Sequence, residues 1–481
     1  MKKLIIAAIA IVLVVGGVLV GIAIYNNQPN VVVRNALLNT IEDLGKRDEI
    51  APVANMLEKG SLEFKAETDG DTFPLGGEDI SASGKMYFSK DAFMLDGLKF
   101  KYGDEISLTG SAYVSEDLIY VQNKEILDGT YGVVRGEMAK AFKKSAIADE
   151  IPEEYIDLVM QILEDYDNGK DQDLKKDLEK YVEKYVKTAV LALEKNADYE
   201  AETDEVKING EKVSARVIEV TIDGDTLAAI IEAVGEELES DKKLRKLVLD
   251  YADDYEDYLQ EYGILEDDLD EMYDQLVEAV VDSADLVEDL LEEEIVIRVV
   301  TAKTSAKLMQ LSVDYDKETL FTLDIGRAGI KKTNTISLNV ADMVTVKYNI
   351  KTNTSKAYEA ELTYQLDGEK KATTLGKISV DHKKETFKLT IPEADITASG
   401  KFSSKNGVTT ITLNKITGAV EIKEGFKLTL VIDENDKMPK PASKVTNVFK
   451  ITEEDIEEFA DNAQEIFGGG VSSGKDEYYG K

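Results

Sequence analysis

The chain has 481 residues, of which 57 are basic and 95 are acidic, and its formal net charge is −38. Binding to nucleic-acid phosphates depends on clustered Lys and Arg, so this charge argues against a nucleic-acid partner. The chain has no cysteine and one histidine, which excludes disulfides, thiolate chemistry and zinc sites built from several histidines. With 43% apolar residues it can form a real core.

The N-terminal segment is predicted to be a membrane anchor. An unbroken apolar run extends from Leu4 to Ile24 and follows two lysines, Lys2 and Lys3. A spanning helix needs about 20 such residues, and the positive-inside rule places the N-terminus in the cytoplasm. We therefore expect a single-pass protein that contacts the membrane through residues 4–24 and lies mostly outside the cytoplasm. A cleaved signal peptide is the alternative, although its apolar stretch is usually only about 7–15 residues.

Residues 1–25 therefore form the predicted anchor, and residues 26–60 a linker with juxtamembrane helices. Residues 61–225 are predicted to form a first lobe, which begins with antiparallel strands because apolar and polar residues alternate. The hairpin turns expected among these first strands are Asp69-Gly70, Asp96-Gly97 and Asp128-Gly129.

The first lobe continues with helices and a hairpin. Helices are predicted from Glu137 to Asn196, with a break at Asn168-Gly169. The stretch from 199 to 223 is then predicted to be a β-hairpin that turns at Asn209-Gly210.

Residues 226–467 are predicted to form a second lobe that contains an acidic helical hairpin, an antiparallel sheet and a C-terminal helix. From Asp250 to Glu294 there are 20 acidic residues and no basic residue. Side chains at alternating spacings of four and three residues predict a helix-pair seam that is interrupted at Gly263. The seam residues are Tyr251, Tyr255, Tyr258, Tyr262, Leu265, Leu269, Met272, Leu276 and Ala279.

Strands are predicted from Ile295 to Asp433, with a turn at Asn406-Gly407. Thr452 and Asp455 are spaced as in a capping box, which predicts the start of the last helix. Residues 468–481 are predicted to be a disordered tail. A short internal similarity links Ile80–Lys85 with Ile396–Lys401, and both segments are expected on strands.

These elements predict an α+β fold. Antiparallel curved sheets would have helical hairpins packed against them, preceded by one N-terminal transmembrane helix. The alternative to two lobes is one continuous sheet with two helical insertions.

No motif in the sequence supplies a catalytic, cofactor-binding or metal residue, and we predict no enzyme activity. His382 follows Asp381 in a predicted exposed turn, which is a poor position for a preorganised triad. Gly469–Lys475 has most of a phosphate-loop pattern but continues into Asp476 and follows a helix. The stretch 165–169 begins like a calcium loop but has its glycine at the wrong position.

The acidic helices are the remaining feature with a chemical role. A single helix cannot surround an ion, so we expect loose divalent cations there and no defined site. The densest acidic group is Glu266, Asp267, Asp268, Asp270, Glu271 and Asp274.

The order of an anchor at Leu4–Ile24, strands, helices and further strands resembles uncharacterised membrane-anchored extracytoplasmic proteins of Gram-positive bacteria. The element order over residues 31–450 also resembles the lipoprotein-carrier class, with its LolA-like and LppX-like fold. That resemblance implies a curved antiparallel sheet that wraps helices and leaves an apolar cavity. The lipobox cysteine of many such carriers is missing here.

Two functions follow as expectations. The first is a structural or interaction protein of the bacterial cell envelope, anchored to the membrane, with an envelope protein as partner. The alternative is an extracytoplasmic binding module that holds a lipid or other amphiphile in a cavity between curved sheet and helices.

Overall fold

The computed structural model describes residues 32, 33, 36, 39, 40, 43, 47, 51–68, 78–104, 106–261, 269–327, 329–330, 332–341, 343–418 and 426–468. The predicted anchor and nearly all of the predicted tail lie outside these residues, as does the phosphate-loop-like segment. None of the helices within the described ranges is both long enough and apolar enough to cross a membrane.

The described chain is a mixed α+β protein with antiparallel sheet, as predicted. Its helices are α1 (Ala51–Glu58), α2 (Met138–Phe142), α3 (Ala146–Glu150), α4 (Glu153–Asp167), α5 (Lys170–Asn196), α6 (Gly224–Ser240), α7 (Lys242–Glu261), α8 (Leu269–Leu290) and α9 (Glu453–Gly468).

The strands in the first part of the chain are β1 (Gly60–Thr68), β2 (Ile80–Phe88), β3 (Ala92–Tyr102), β4 (Ile106–Ser115), β5 (Leu118–Asn123), β6 (Gly129–Val134), β7 (Asp198–Ile208) and β8 (Glu211–Ile222). Those in the second part are β9 (Ile295–Thr301), β10 (Leu308–Tyr315), β11 (Glu318–Asp324), β12 (Thr335–Val340), β13 (Val344–Asn353), β14 (Ala357–Leu366), β15 (Thr373–Asp381), β16 (Thr386–Ile391), β17 (Ile396–Lys405), β18 (Val408–Gly418), β19 (Phe426–Asp433) and β20 (Thr446–Asn447).

The contacts divide the chain into two compact units. The first contains 172–351, 360–375 and the described residues before 48, and the second contains 48–171, 352–359 and 376 onward. In the first unit, strands β7 to β13 pair antiparallel in chain order, apart from the insertion of α6 to α8 between β8 and β9. The β8–β9 pairing joins residues on both sides of the predicted lobe boundary at 225–226.

The core of the first unit lies on the face of β8, β9 and β10 that the helices cover. Ile218 pairs with Val299, and both are fully buried. Leu227 and Ile230 of α6 pack in the same cluster. Because the opposite face also buries residues such as Val217, these strands carry nearly continuous apolar runs.

The second unit contains a longer sheet. Its strands lie in the order β15, β16, β17, β18, β19, β1, β2, β3, β4, β5 and β6, with all neighbours antiparallel. The short β20 adds to β6 in parallel. The central pairing of β1 with β19 brings Ser61 opposite Asp433. Residues near the two ends of the described chain therefore share one ladder.

The turn predictions have mixed outcomes. Asn209-Gly210 and Asn406-Gly407 join β7 to β8 and β17 to β18, and all four residues have positive φ, as a type I′ turn requires. The prediction of a hairpin at Asp96-Gly97 is wrong. Gly97 has φ +59° inside β3, where the register with β4 shifts between Leu95 and Leu98. The glycine serves a β-bulge there.

The predicted helix-pair seam is wrong for its α8 residues. Met272 and Leu276 are 44% and 65% exposed, whereas Tyr273 and Val277, each one residue later, are buried. The buried stripe of α8 packs along α6, where Gly235 lets the two helices approach closely at Val281. The sequence of α8 contains two adjacent apolar stripes, and packing against α6 selects the second.

Candidate functional site

One face of the second unit's sheet carries an uninterrupted row of apolar residues. The row crosses nine neighbouring strands, from β15 to β4, and each member lies directly opposite the next in the pairing register. We call it the long row. It consists of Val380, Phe387, Gly400, Leu413, Leu428, Ala66, Ala82, Phe100 and Leu108.

A second apolar row runs beside it on the same face, from β19 to β6. Successive members are again direct partners in the register. This short row consists of Ile432, Leu62, Met86, Leu95, Ala112, Val121 and Tyr131. The long and short rows together are called the apolar face below.

The opposite face of the same strands is polar behind the long row. The residues that neighbour the long row along each strand also form a row, because side chains alternate between the two faces. This polar row consists of Thr386, Lys401, Thr412, Thr429, Lys65, Ser83, Lys99 and Thr109. Behind the short row the opposite face instead buries a cluster of Tyr87, Met94, Tyr113 and Tyr120. The sheet therefore separates an apolar face from a polar one along the long row.

Of the sixteen members of the apolar face, twelve are half-buried and two, Phe100 and Val121, are exposed. Gly400 and Ile432 are the only members in the buried class. Phe100 is 36% exposed and Val121 is 52% exposed, and the adjacent cross-strand pair of Val114 and Ile119 is also exposed. Contiguous exposed apolar surface on a folded chain marks a binding surface.

Bulges keep the apolar residues on one side. Leu95 and Leu98 are three residues apart, but the bulge at Asp96-Gly97 turns both towards the apolar face. In β18, Leu413 pairs with Gly400 and Ile416 with Ala398, so an extra residue is inserted there as well. Without these bulges, every apolar residue beyond them would point to the other face.

Two glycines on the apolar face are covered by phenylalanine rings. Gly84 lies opposite Phe64, and Gly400 lies opposite Phe387. These glycines are the matching residues of the internally similar segments 80–85 and 396–401, and both lie next to a register shift. The similarity in sequence thus corresponds to the same local arrangement, in which an aromatic ring packs over a strand glycine.

Gly400→Ala is expected to destabilise the chain by roughly 3 kcal/mol, because a crowded site must distort to admit a methyl group. A Cβ at Gly400 would lie 1.9 Å from the carbonyl oxygen of Thr412 and 2.8 Å from the Phe387 ring. At Gly376, which is also in a strand, the nearest atom would be 3.8 Å away, so Gly376→Ala is the control. Urea unfolding midpoints measure both variants, and equal midpoints would contradict this expectation.

The last helix lies at the β6 end of the apolar face. Phe459 of α9 meets the ring of Tyr131 edge-on, with 5.2 Å between the ring centroids, and Asn462 donates a hydrogen bond to the carbonyl of Ile126. Thr452 and Asp455 form the predicted capping box, since each accepts a hydrogen bond from the other's backbone N–H. Ile456 and Phe467 of the same helix are exposed.

A shallow hollow of about 500 Å³ lies between α5 and α7 in the first unit. Four lysines and two aspartates contribute to its lining. Lys180 pairs with Asp177 at 2.7 Å and Lys184 with Glu237 at 2.6 Å, and Lys246 pairs with Asp250. Because these carboxylates offset most of the positive charge, the hollow is a weak candidate for an anion site.

Asp241 joins three helices beside that hollow. Its carboxylate, 5% exposed, accepts hydrogen bonds from Lys184 and Tyr185 of α5 and from the N–H of Leu244 in α7. Burial alone would raise the pKa of Asp241, but these hydrogen bonds outweigh it and hold the pKa at about 2. Asp241 therefore has a structural role, because it caps α7 and links that helix to α5.

The segments whose sequences resemble catalytic or metal-binding patterns have structural partners. His382 is exposed, its backbone N–H donates to the carbonyl of Lys356, and its ring lies edge-on to Phe402. Asp165 pairs with Lys170, while Asp167 accepts the N–H groups of Gly136, Met138 and Ala139. The calcium-loop-like sequence is therefore used at a helix end.

The acidic group on α8 is only partly described, because residues 266–268 lie outside the described ranges. Asp270 and Asp274 form ion pairs with Arg245 of α7. Within the described ranges, no group of three or more His, Cys, Asp or Glu side chains is placed to hold a metal ion. The expectation of loosely bound divalent cations stays a prediction.

Comparison of the chain with protein-family models, with curated proteins and with solved structures found no match. The residues of the second unit are therefore the basis for a functional proposal. Sequence reasoning named no member of the apolar face as a site residue. The signal was present as alternation in single strands, but the order of the strands was needed to join them into rows.

Proposed function

We propose that the chain is a membrane-tethered extracytoplasmic binding module whose apolar face holds the hydrocarbon chain of a lipid or other amphiphile. The observation that carries this proposal is the long row, in which nine apolar residues on nine adjacent strands lie side by side and all but Gly400 keep part of their surface exposed. Burial of apolar surface supplies the driving force, at about 0.8 kcal/mol for each methylene group that leaves water.

The dimensions of the apolar face suit a chain-like ligand. Neighbouring strands lie about 4.8 Å apart, so the long row extends over about 38 Å. A bilayer's hydrocarbon core is about 30 Å thick and holds two opposed acyl chains, so one chain needs about 15 Å. The long row thus offers contacts along the whole length of an acyl chain, with room for more than one.

The predicted anchor supports the proposal. A tether at residues 4–24 would keep the apolar face near a lipid source. The finer part of the fold prediction, a curved sheet with packed helical hairpins behind a transmembrane helix, belongs to this proposal as well. So does the implied similarity to lipoprotein carriers. The structural or interaction role in the envelope stays a prediction beside it.

The first test measures bound lipid directly. The chain from Gln28 onward is purified without detergent, shown to unfold cooperatively, and extracted with organic solvent for quantification of lipid by mass spectrometry. We expect at least one lipid per chain, or uptake to that level after incubation with phospholipid vesicles. A folded chain that carries no lipid and takes up none would contradict the proposed function.

A further inference from the structure

Helix α8 in the first unit has one buried and one exposed apolar stripe. Tyr273, Val277 and Ala284 are buried within the unit. Met272, Leu276 and Leu286 lie on an adjacent stripe and are 44%, 65% and 63% exposed. We call these three residues the exposed stripe. Ala279, between them, is exposed as well.

The spacing of the exposed stripe is that of a helix contact. Met272 and Leu276 are one turn apart, and Leu286 follows Met272 after two heptads. At 1.5 Å per residue, the stripe is about 21 Å long, which is enough for a partner helix of four turns. Exposed apolar residues scattered without this spacing would not indicate a partner helix.

The charge around the exposed stripe is negative over most of its length. Helix α8 carries eight acidic residues and no basic residue. No Lys or Arg occurs in the sequence between Lys246 and Arg298. Arg245 pairs with Asp270 and Asp274 at one end of α8, but Glu278 and Asp282 remain exposed beside the stripe.

We propose that the exposed stripe is a docking surface for a cationic amphipathic helix of another protein. Such a helix would bury its apolar stripe against Met272, Leu276 and Leu286 while its Lys and Arg side chains face the acids of α8. This proposal does not depend on amphiphile binding by the second unit. It gives a chemical identity to the envelope partner predicted from the sequence.

Charge selects this occupant over the alternatives. A second copy would bring two segments together that each carry 20 acidic residues and no basic residue between 250 and 294. Such segments repel each other, and an anionic membrane surface is repelled for the same reason. A basic amphipathic helix is attracted by the same charges, and its apolar side would bury the exposed stripe as well.

The test uses the full chain in nanodiscs of zwitterionic lipid and two labelled synthetic peptides. The first peptide is a helix with a leucine stripe flanked by lysines, and the second has the same charge but serine in place of leucine. We expect the leucine peptide to bind at least tenfold more tightly than the serine peptide, as measured by fluorescence anisotropy. Empty nanodiscs correct for binding to lipid.

Two variants with unchanged net charge separate the stripe from the general acidity. The pair Met272→Ser and Leu276→Ser should remove the preference for the leucine peptide. The matched pair Val182→Ser and Leu191→Ser, at exposed positions of α5, should keep it. Equal binding of both peptides to the unaltered chain, or an unchanged preference in the first pair, would overturn the proposal. Self-association that Met272→Ser and Leu276→Ser abolish would also overturn it, in favour of a second copy.

Discussion

Leu428→Glu is expected to weaken the binding of a fluorescent fatty acid about 100-fold, a change of about 2.7 kcal/mol in binding free energy. Leu428 lies in the middle of the long row, with Leu413 on one side and Ala66 on the other. A carboxylate there either keeps its water, and so displaces the hydrocarbon chain, or loses that water at high cost.

The neighbouring residue supplies the control for this prediction. Thr429 follows Leu428 in β19, and its side chain points to the polar face between Thr412 and Lys65. Thr429→Glu therefore adds the same charge to the same strand and is expected to leave binding unchanged within about twofold. Equal losses in both variants, with equal urea midpoints, would rule out the apolar face as the binding surface.

A second pair tests the short row in the same way. Val121 is 52% exposed, so Val121→Glu is tolerated by the fold, and Gln122→Glu places the charge on the opposite side of β5. The two pairs lie on different strands, so a local defect at β19 cannot account for a matching result at β5.

Asp241→Ala is expected to lower the free energy of unfolding of the first unit by about 3 kcal/mol, because it removes a helix cap and a buried ion-pair partner. Lys184 keeps Glu237 at 2.6 Å, whereas Tyr185 loses its acceptor at 3.0 Å. Asp241→Asn keeps one oxygen that can accept the N–H groups of Lys243 and Leu244 but loses the charge, so its loss of stability should be smaller. Urea unfolding followed by circular dichroism measures both variants.

The same carboxylate gives a pH dependence with a defined sign. The folded-state pKa of Asp241 is about 2, below its ordinary value of 3.8. Its contribution to stability is therefore complete above pH 3.8 and is lost as the pH falls from 3.8 towards 2. The stability difference between the unaltered chain and Asp241→Asn should shrink by about 2 kcal/mol over that interval. A constant difference would show that Asp241 is not ion-paired.

Local patterns in the sequence predicted the elements well. The Asn-Gly pairs predicted the β7–β8 and β17–β18 turns, and their positive φ values confirm them. The spacing of Thr452 and Asp455 predicted the start of α9, and the hydrogen bond between them confirms it. These features are determined by a few neighbouring residues, so a single sequence contains the information. The same reasoning was wrong at Asp96-Gly97, because a glycine with positive φ suits a bulge as well as a turn.

Long-range pairing could not be predicted in this way. Nothing in β1 specifies that its neighbour is β19 rather than another strand with the same alternation. The apolar face depends on that order, which explains why no site residue was proposed from the sequence. On α8 the stripe that begins at Met272 was predicted to be buried, but the stripe that begins at Tyr273 is buried instead. The two stripes have similar apolar character, and only the contact with α6 distinguishes them.

The pairing of β1 with β19 also determines when, during synthesis of the chain, the sheet of the second unit can be completed. Residue 433 leaves the ribosome 372 residues after its partner, residue 61. At synthesis rates of about 5–20 residues per second, this separation amounts to roughly 20–75 s. During that interval the free edge of β1 and the apolar side of β1 to β6 stand open to other chains. The sheet of the second unit can therefore be completed only after residues 426–433 have been synthesised.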